Sequence, residues 1–243
     1  MPARQRIDRL LVERGLFESR AKAQAAIAAG HVTANEVPVS KPSDEIPIDA
    51  VLRAEPAHPW VSRGGVKLAA ALDHFRLDPA GHVCLDVGAS TGGFTEVLLA
   101  RGARHVYAVD VGCGQLHPSM RARTQVTAIE ATDIRALDPD QLAERPDFVV
   151  VDVSFISLKL VLPAALALMQ TPAHLLALIK PQFEAGPRAV KRGIVRDPQV
   201  HAAVCDDIAK LVASLGWHVV GTVPSPIAGG DGNHEFFISA QRR

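Results

Sequence analysis

Three polar residues of this sequence stand at the ends of apolar runs, where a folded sheet presents side chains to a ligand. Asp152 follows Asp147-Phe-Val-Val-Val151, Lys180 follows Leu175-Leu-Ala-Leu-Ile179, and Glu235 opens the last run after Gly232-Asn-His234. In an open α/β sheet the carboxyl ends of the strands face the binding crevice. A fourth residue, Lys67, falls in the first turns of a helix carrying Leu68, Ala71, Leu72 and Phe75, where a cation is unfavourable against the helix dipole. Singly, each has an equally good reading as a cap or a surface charge. Together, two amines and two carboxylates at one sheet edge could hold and move a proton, provided an amine can give up its charge through burial or a neighbouring cation.

A second stretch, Val83 to Leu99, supplies a place for a ligand. Its first run is short and β-branched, as in a buried strand, and its second has Phe94, Val97 and Leu98 at helical spacing. Between them lie Gly88, Gly92 and Gly93, which let a ligand approach bare backbone. The G-x-G-x-x-G spacing that seats a pyrophosphate is absent. Asp110 ends the next strand-like run, about twenty residues on, where a carboxylate holds ribose hydroxyls. A ligand with a ribose and no diphosphate fits, and S-adenosylmethionine is such a ligand. An α/β turn with no ligand is the alternative.

These elements need a scaffold. The chain has 243 residues, 48% of them hydrophobic, enough for one large domain or a small one plus a medium one. Formal net charge is zero, so a nucleic-acid surface would have to be a local patch. Cysteines at 84, 113 and 205 form neither a disulfide framework nor a zinc pattern, and no His or Cys spacing suggests a metal. No charged-then-apolar leader opens the sequence, and the longest apolar stretch, Leu158 to Met169, contains Lys159 and Pro163 and is too short to span a bilayer. A cytoplasmic protein with no membrane partner is expected.

The first fifty residues read as a separate small unit. Ile7, Leu10 and Leu11 form a helical stripe ending at Gly15. Ser19 is placed to cap a second helix with inner face Ala23, Ala26 and Ile27, ending at Gly30. Short strands are expected at 31–33, 37–39 and 46–52. This stretch resembles an S4-type RNA-binding domain through Arg6, Asp8, Leu11, Gly15, Ser19, Arg20, Gly30 and Val32, which match its pattern in register. The resemblance implies that Arg6, Arg20 and Lys22 meet RNA, mainly at phosphates. The family's usual Asn-Gly turn is Asn35-Glu36 here. Glu55 to Trp60, with two prolines, is the linker, although Trp60 could equally be the first core residue of the second domain. The boundary is placed at 1–57 and 58–243.

Beyond the glycine turn, strand-like runs at 105–110, 126–130, 147–152 and 174–179 alternate with helical or loop segments, the sign of a parallel sheet. The last two runs, 217–223 and 235–240, have no helix between them and should pair antiparallel. That layout, a seven-stranded, mostly parallel sheet, is the class I (Rossmann-like) methyltransferase fold. The overall class is α/β, with a small α+β domain ahead.

The set Lys67, Asp152, Lys180 and Glu235 resembles the Lys-Asp-Lys-Glu tetrad of FtsJ-like ribose 2′-O-methyltransferases, in the same chain order. The resemblance assigns Lys180 as the base, or the group orienting the hydroxyl, with Asp152 its partner. Lys67 would supply the neighbouring cation and Glu235 would offset its charge. Both halves together resemble the TlyA family, on Ser62-Arg-Gly-Gly65, Asp86 to Phe94, Val109-Asp-Val-Gly112, Asp152-Val-Ser-Phe155, Lys180-Pro-Gln-Phe-Glu184, Gly193-Ile-Val-Arg-Asp197 and Gly232-Asn-x-Glu235. That family is expected to methylate cytidine 2′-hydroxyls in ribosomal RNA of one or both subunits. By the same resemblance Asp86, Gly88, Ala89, Ser90, Gly92, Gly93 and Phe94 hold the methionine part of the cofactor, Asp110 its ribose and Asp133 its adenine.

Arg63 and the basic loop carrying Arg188, Lys191 and Arg192 are candidates for RNA phosphates, a solvated loop being the alternative for the latter. An S4 domain and a one-nucleotide target need only a monomer. Members of the family are also named hemolysins, but a membrane-lysing protein needs amphipathic or spanning segments that this sequence lacks. An RNA-binding protein on an inactive methyltransferase fold would require a broken tetrad or turn, and all four tetrad positions are filled.

Overall fold

Ser19 and the glycines at 15 and 30 set the helix ends of the N-terminal part, as their types require. In the computed structural model, which describes residues 3–229 and 232–243, the chain divides into two units, Met1–Pro59 and Trp60–Arg243. In the first, α1 (Ile7–Glu13) and α2 (Arg20–Ala28) pack Ile7, Leu11, Ala23 and Ile27 together. The Ser19 hydroxyl accepts the Lys22 N–H at 3.3 Å, a cap at the start of α2.

The run 46–52, expected as one strand, is two. Strand β1 (Arg4–Arg6) pairs antiparallel with β4 (Glu45–Pro47). Strand β2 (Val32–Ala34) pairs with both β3 (Val37–Pro38) and β5 (Leu52–Ala54). A turn closed by Ala50 N–H on Pro47 O at 3.0 Å separates β4 from β5. The Arg14 guanidinium, bonded to the carbonyls of Ile48 and Ala50, fixes that turn, a long-range contact that local pattern does not encode. The Asn35-Glu36 hairpin forms without Asn-Gly, because both residues take positive φ (48° and 68°), as a two-residue I′-type loop needs. The Asn35 side chain accepts the Val51 N–H at 2.8 Å.

At the centre of this unit Asp8 is fully buried. Arg6 reaches its carboxylate at 3.1 Å, Arg20 at 2.7 Å and Gln24 at 2.9 Å. Arg6 and Arg20, expected at RNA, thus spend part of their hydrogen bonding on the fold, with about half of each side chain still in solvent. Lys22 pairs with Glu18 at 2.5 Å on the surface.

The second unit is built on a seven-stranded sheet in the order β11-β12-β10-β9-β6-β7-β8. Strands β6 (Val83–Val87), β7 (His105–Val109), β8 (Val126–Ile129), β9 (Phe148–Val151) and β10 (Ala173–Ile179) run parallel. Strands β11 (His218–Pro224) and β12 (Phe236–Arg242) form the antiparallel end. Alternate residues of the central strands face opposite ways. Cys84, Phe148 and Leu176 pack under α3 (Arg63–Phe75) and α4 (Gly93–Ala100). Leu85, Val149 and Leu175 pack under α6 (Leu158–Ala167) and α8 (Pro198–Ser214). Two short helices, α5 (Pro118–Arg121) and α7 (Pro181–Glu184), sit near the carboxyl edge. Ser62 holds the N-cap position of α3 but makes no capping bond; its hydroxyl lies against Gly93.

The Asp8 cluster makes the first unit acid-sensitive. The hydrogen bond from Arg6, with those from Arg20 and Gln24, holds the Asp8 carboxyl well below the usual carboxylate range. A carboxyl depressed on folding contributes stability above its unfolded value near pH 4, and loses it as pH falls towards the folded value. Amide hydrogen exchange in α1 and α2 is expected to speed up, relative to intrinsic rates, between about pH 5 and about pH 3. In Asp8→Asn protection should already be reduced at about pH 7 and change little on acidification. Equal pH dependence in the two proteins would contradict this account.

Candidate active site

The turn after β6 depends on a missing side chain. Gly88 has φ +86°, and a Cβ there would stand 2.3 Å from the carbonyl oxygen of Asp152. Only glycine lets the ends of β6 and β9 come so close. The N–H groups of Gly88 and Ala89 donate to Val109 O at 2.8 and 3.1 Å. Asp110, just past β7, accepts the Ser90 N–H with one oxygen (2.8 Å) and the Gly112 N–H with the other (2.7 Å). Turn and carboxylate form one lip, and each Asp110 oxygen keeps a lone pair for a further donor.

Beside this lip lies a cavity of about 350 Å³. Of the residues expected to hold the cofactor, Gly88, Ser90, Asp110 and Asp133 line it. Asp86, Ala89, Gly92, Gly93 and Phe94 do not, and they shape the turn from behind. Phe94 is buried beside Phe237, ring centroids 6.2 Å apart, and belongs to the core. Asp86 is fully buried and accepts the Thr95 hydroxyl at 2.7 Å. Asp133 is on the wall, but both its oxygens bind Arg135, whose hydrogen bonds hold its carboxyl below the ordinary range. The walls otherwise include Val111, Ile134 and Ile156, apolar surfaces suited to a flat base. A nucleoside-like ligand fits this combination of bare backbone, free carboxylate lone pairs and apolar sides.

The four expected catalytic residues come together as two ion pairs. Ile179 of β10 stands opposite Phe236 of β12, so Lys180 and Glu235 each lie one step past that pair. Asp152 ends the neighbouring β9. Lys180 Nζ is 2.6 Å from Asp152 Oδ1, and Lys67 Nζ, reaching in from α3, is 2.5 Å from Glu235 Oε2. Lys67, Lys180 and Glu235 are all buried. Asp152 is in both assemblies: it lines the cavity and pairs with Lys180.

Several neighbours escaped the sequence reading. The Ser154 hydroxyl accepts Lys180 Nζ at 2.8 Å. Glu184 accepts the Ser157 hydroxyl at 2.5 Å and the Leu158 N–H at 2.7 Å, tying the loop after β9 to the loop after β10. Phe155 has φ +64° and is 91% exposed at the cavity wall, 5.2 Å from the Phe183 ring. Positive φ costs free energy for a bulky residue, and such strain clusters at active sites and ligand clamps. Glu130 accepts the N–H groups of Gln115 and Leu116 and pairs with Arg121, whose guanidinium pulls its carboxyl down to about 2. Glu184 could have been suspected from its place in Lys180-Pro-Gln-Phe-Glu184; the exposure of Phe155 left no signal.

Arg63, Arg188, Lys191 and Arg192 are exposed. Lys191 and Ile194 exchange backbone hydrogen bonds at 3.0 Å around Arg192 and Gly193, a tight hairpin with a basic tip. Buried Asn233 accepts the Val195 N–H and donates to Gly193 O, anchoring this hairpin two residues from Glu235.

A parallel sheet closed by an antiparallel pair, with a glycine turn, a ribose-type acid and a cavity at its carboxyl edge, defines a Rossmann-like methyltransferase. Comparison with known proteins agrees. Residues 60–242 match the FtsJ-like methyltransferase family and residues 5–52 the S4 domain. The 16S/23S rRNA (cytidine-2′-O)-methyltransferase TlyA of Mycobacterium tuberculosis is 47% identical, covering 98% of this chain and 90% of that protein. A solved structure named as a hemolysin of Streptococcus thermophilus superposes with TM-score 0.78 at 39% identity, over 100% of this chain and 89% of that one. An S-adenosylmethionine-dependent methyltransferase structure from Listeria monocytogenes shares the fold alone (TM-score 0.55, 13% identity, 75% of this chain and 100% of that one). The chain belongs to the FtsJ-like methyltransferases and, among them, to the TlyA family.

The Asp86 environment gives a pH signature. Burial, opposed by the Thr95 hydrogen bond, pushes its carboxyl up to about 7. The stability linked to this group is complete below its unfolded value near pH 4 and is lost as pH rises through about 7. Asp86→Asn keeps the shape and the Thr95 bond without that titration. Its Tm relative to wild type should therefore rise between about pH 5 and about pH 8; thermal unfolding curves with parallel pH profiles would overturn the assignment.

Proposed function

We propose that this protein transfers a methyl group from S-adenosylmethionine to the 2′-hydroxyl of a cytidine in ribosomal RNA, acting on ribosomal subunits in the cytoplasm as a monomer. The observation that carries the reading is the shared position of Asp152, on the cavity wall and in the Lys180 ion pair. Through it a proton-handling amine stands beside a nucleoside-sized pocket.

Bound in that cavity, S-adenosylmethionine supplies a methyl group on a positively charged sulfur, open to attack by an oxygen. Asp110 would hold the cofactor ribose hydroxyls, bare backbone at Gly88 would make room for the methionine part, and Val111 and Ile134 would flank the adenine. Asp133, engaged by Arg135, would contribute to the adenine end through the wall it builds.

The target hydroxyl is a weak acid and a poor nucleophile, so its proton must leave as the oxygen attacks. Lys180, once it has released its own proton, accepts that one at Nζ while the oxygen bonds the methyl carbon. Asp152 offsets the ammonium that results, so the step does not leave an uncompensated charge in a partly dry site. The Lys67–Glu235 pair closes the other side and keeps water from the reacting oxygen. Phe155, flat and exposed at the rim, offers a face on which the target base can stack once out of its helix. The S4 unit and the basic residues Arg63, Arg188, Lys191 and Arg192 hold phosphates and set register without reading sequence.

The test is transfer of labelled methyl to unmethylated small subunits, large subunits and whole ribosomes, offered separately, with the modified nucleotide mapped. Label should fall on a cytidine ribose and disappear in Lys180→Ala, while cofactor binding by calorimetry persists. Asp110→Ala should weaken cofactor binding by about tenfold or more, the loss of a charge-assisted hydrogen-bond pair. Lys191→Glu with Arg192→Glu should weaken RNA binding and lower the slope of its salt dependence by about two phosphate contacts. No cofactor binding by the wild-type protein would end the methyltransferase reading. No helix among the described residues is long and apolar enough to cross a membrane.

A further inference from the structure

We infer that Gln115 is a specificity-determining residue for the cofactor: its side-chain amide donates a hydrogen bond to a ribose hydroxyl oxygen beside Asp110, so that donor and acceptor together select a ribose that carries its hydroxyls. The inference rests on the proposed binding of S-adenosylmethionine in this cavity and adds the donor that Asp110 cannot supply.

A ribose diol gives and takes hydrogen bonds. Each hydroxyl has one proton to donate and two lone pairs to satisfy. The Asp110 carboxylate only accepts, and one lone pair of each oxygen is already committed to Ser90 N–H or Gly112 N–H. It can receive hydroxyl protons but offers nothing to hydroxyl oxygens, which would lose the donors that water gave them. Among the described residues of the cavity wall, Gln115 is the one side chain with N–H donors. The wall hydroxyls of Ser90 and Thr132 already donate, to Gln115 Oε1 at 3.3 Å and to Glu130 O at 3.0 Å. That of Ser154 lies against Lys180.

The amide is held where such a donor is needed. A Cβ at Gly112 would stand 2.2 Å from Gln115 Nε2 and 3.1 Å from Asp110 Oδ1, so amide and carboxylate both crowd the space over that glycine. Gly112 is not among the glycines at positive φ, so it is the closeness of the amide, not the backbone, that calls for glycine there. The charge of Asp110 favours the nitrogen on its side, and the Ser90 hydroxyl holds the oxygen. Nε2 itself has no hydrogen-bond partner among the described residues.

The backbone beneath is fastened as well. Gln115 N–H and Leu116 N–H donate to Glu130 Oε1 at 3.1 and 3.3 Å, and Arg121 holds that carboxylate at 2.6 Å. Leu116 is buried with Ala89 and Met120, and His117 N–H donates to Thr91 O at 3.2 Å, which docks the loop onto the glycine turn. A donor placed before the ligand arrives spares the ordering cost of binding.

The experiment measures binding of S-adenosylhomocysteine, its 2′-deoxy analogue and its 3′-deoxy analogue by calorimetry, to wild type, Gln115→Ala and Gln115→Glu. Gln115→Ala should weaken S-adenosylhomocysteine about 3- to 10-fold, the scale of one lost neutral hydrogen bond. For the analogue without the hydroxyl that Gln115 reads, wild type and Gln115→Ala should agree within about twofold. Gln115→Glu keeps the shape but replaces the donor with a second carboxylate, and should bind S-adenosylhomocysteine no better than Gln115→Ala. The side chain is exposed, so the Tm of Gln115→Ala should stay within about 2 °C of wild type. A Gln115→Ala that binds as tightly as wild type, a loss equal for all three ligands, or a Gln115→Glu as tight as wild type overturns the inference and leaves the cofactor reading intact. A wild-type protein that binds neither S-adenosylmethionine nor S-adenosylhomocysteine overturns both.

Discussion

The contact between Gly88 and the backbone of Asp152 is the constraint on which the catalytic unit depends. With a Cβ excluded at 2.3 Å, the ends of β6 and β9 meet directly. The glycine turn then looks onto the same space as the first residue past β9. Any side chain at 88 would push these strand ends apart, separating the cavity from Lys180. Asp110 strengthens the arrangement by binding the turn at Ser90 and its own loop at Gly112. The cavity and the Lys180–Asp152 pair are in this sense one construction with two openings.

Two buried ion pairs at a sheet edge are a poor way to gain stability, because desolvation takes back much of the attraction. Their presence fits the proton handling proposed for this site. Each amine meets one carboxylate, and the two pairs come from different elements, so neither lysine depends on the other's partner. A buried acid close by, Asp86, is held near neutrality by desolvation, with the Asp152 charge adding to that effect. The region thus carries more ionisable groups than a core tolerates for packing alone.

Much of this was legible in the sequence, for reasons that can be traced. The strands of the second unit follow from short apolar runs, because a sheet covered on both faces leaves no polar positions to confuse the pattern. Asp152, Lys180 and Glu235 stood out because each interrupts or borders such a run. The first unit was harder. Its strands are two or three residues long, and whether 46–52 is one strand or two depends on Arg14, more than thirty residues away. The same limit hid Ser154 and Glu184, whose roles arise from contacts across 26 and 27 residues. Arg6 and Arg20 show the converse: the pattern singled them out but was silent on the buried carboxylate they share.

Lys67 meets its carboxylate across 168 residues of sequence, and that carboxylate sits at the head of the last strand. Strand β12 lies between β10 and β11, so it is threaded into a gap in the sheet and not added at its margin. One element therefore does two jobs: β12 closes the sheet between β10 and β11, and the residue at its head supplies the counterion of Lys67. Loss of its pairing would open a seam beside Lys180 and strip Lys67 of its carboxylate in the same event, so the sheet's closure and the charge balance of the site stand or fall together.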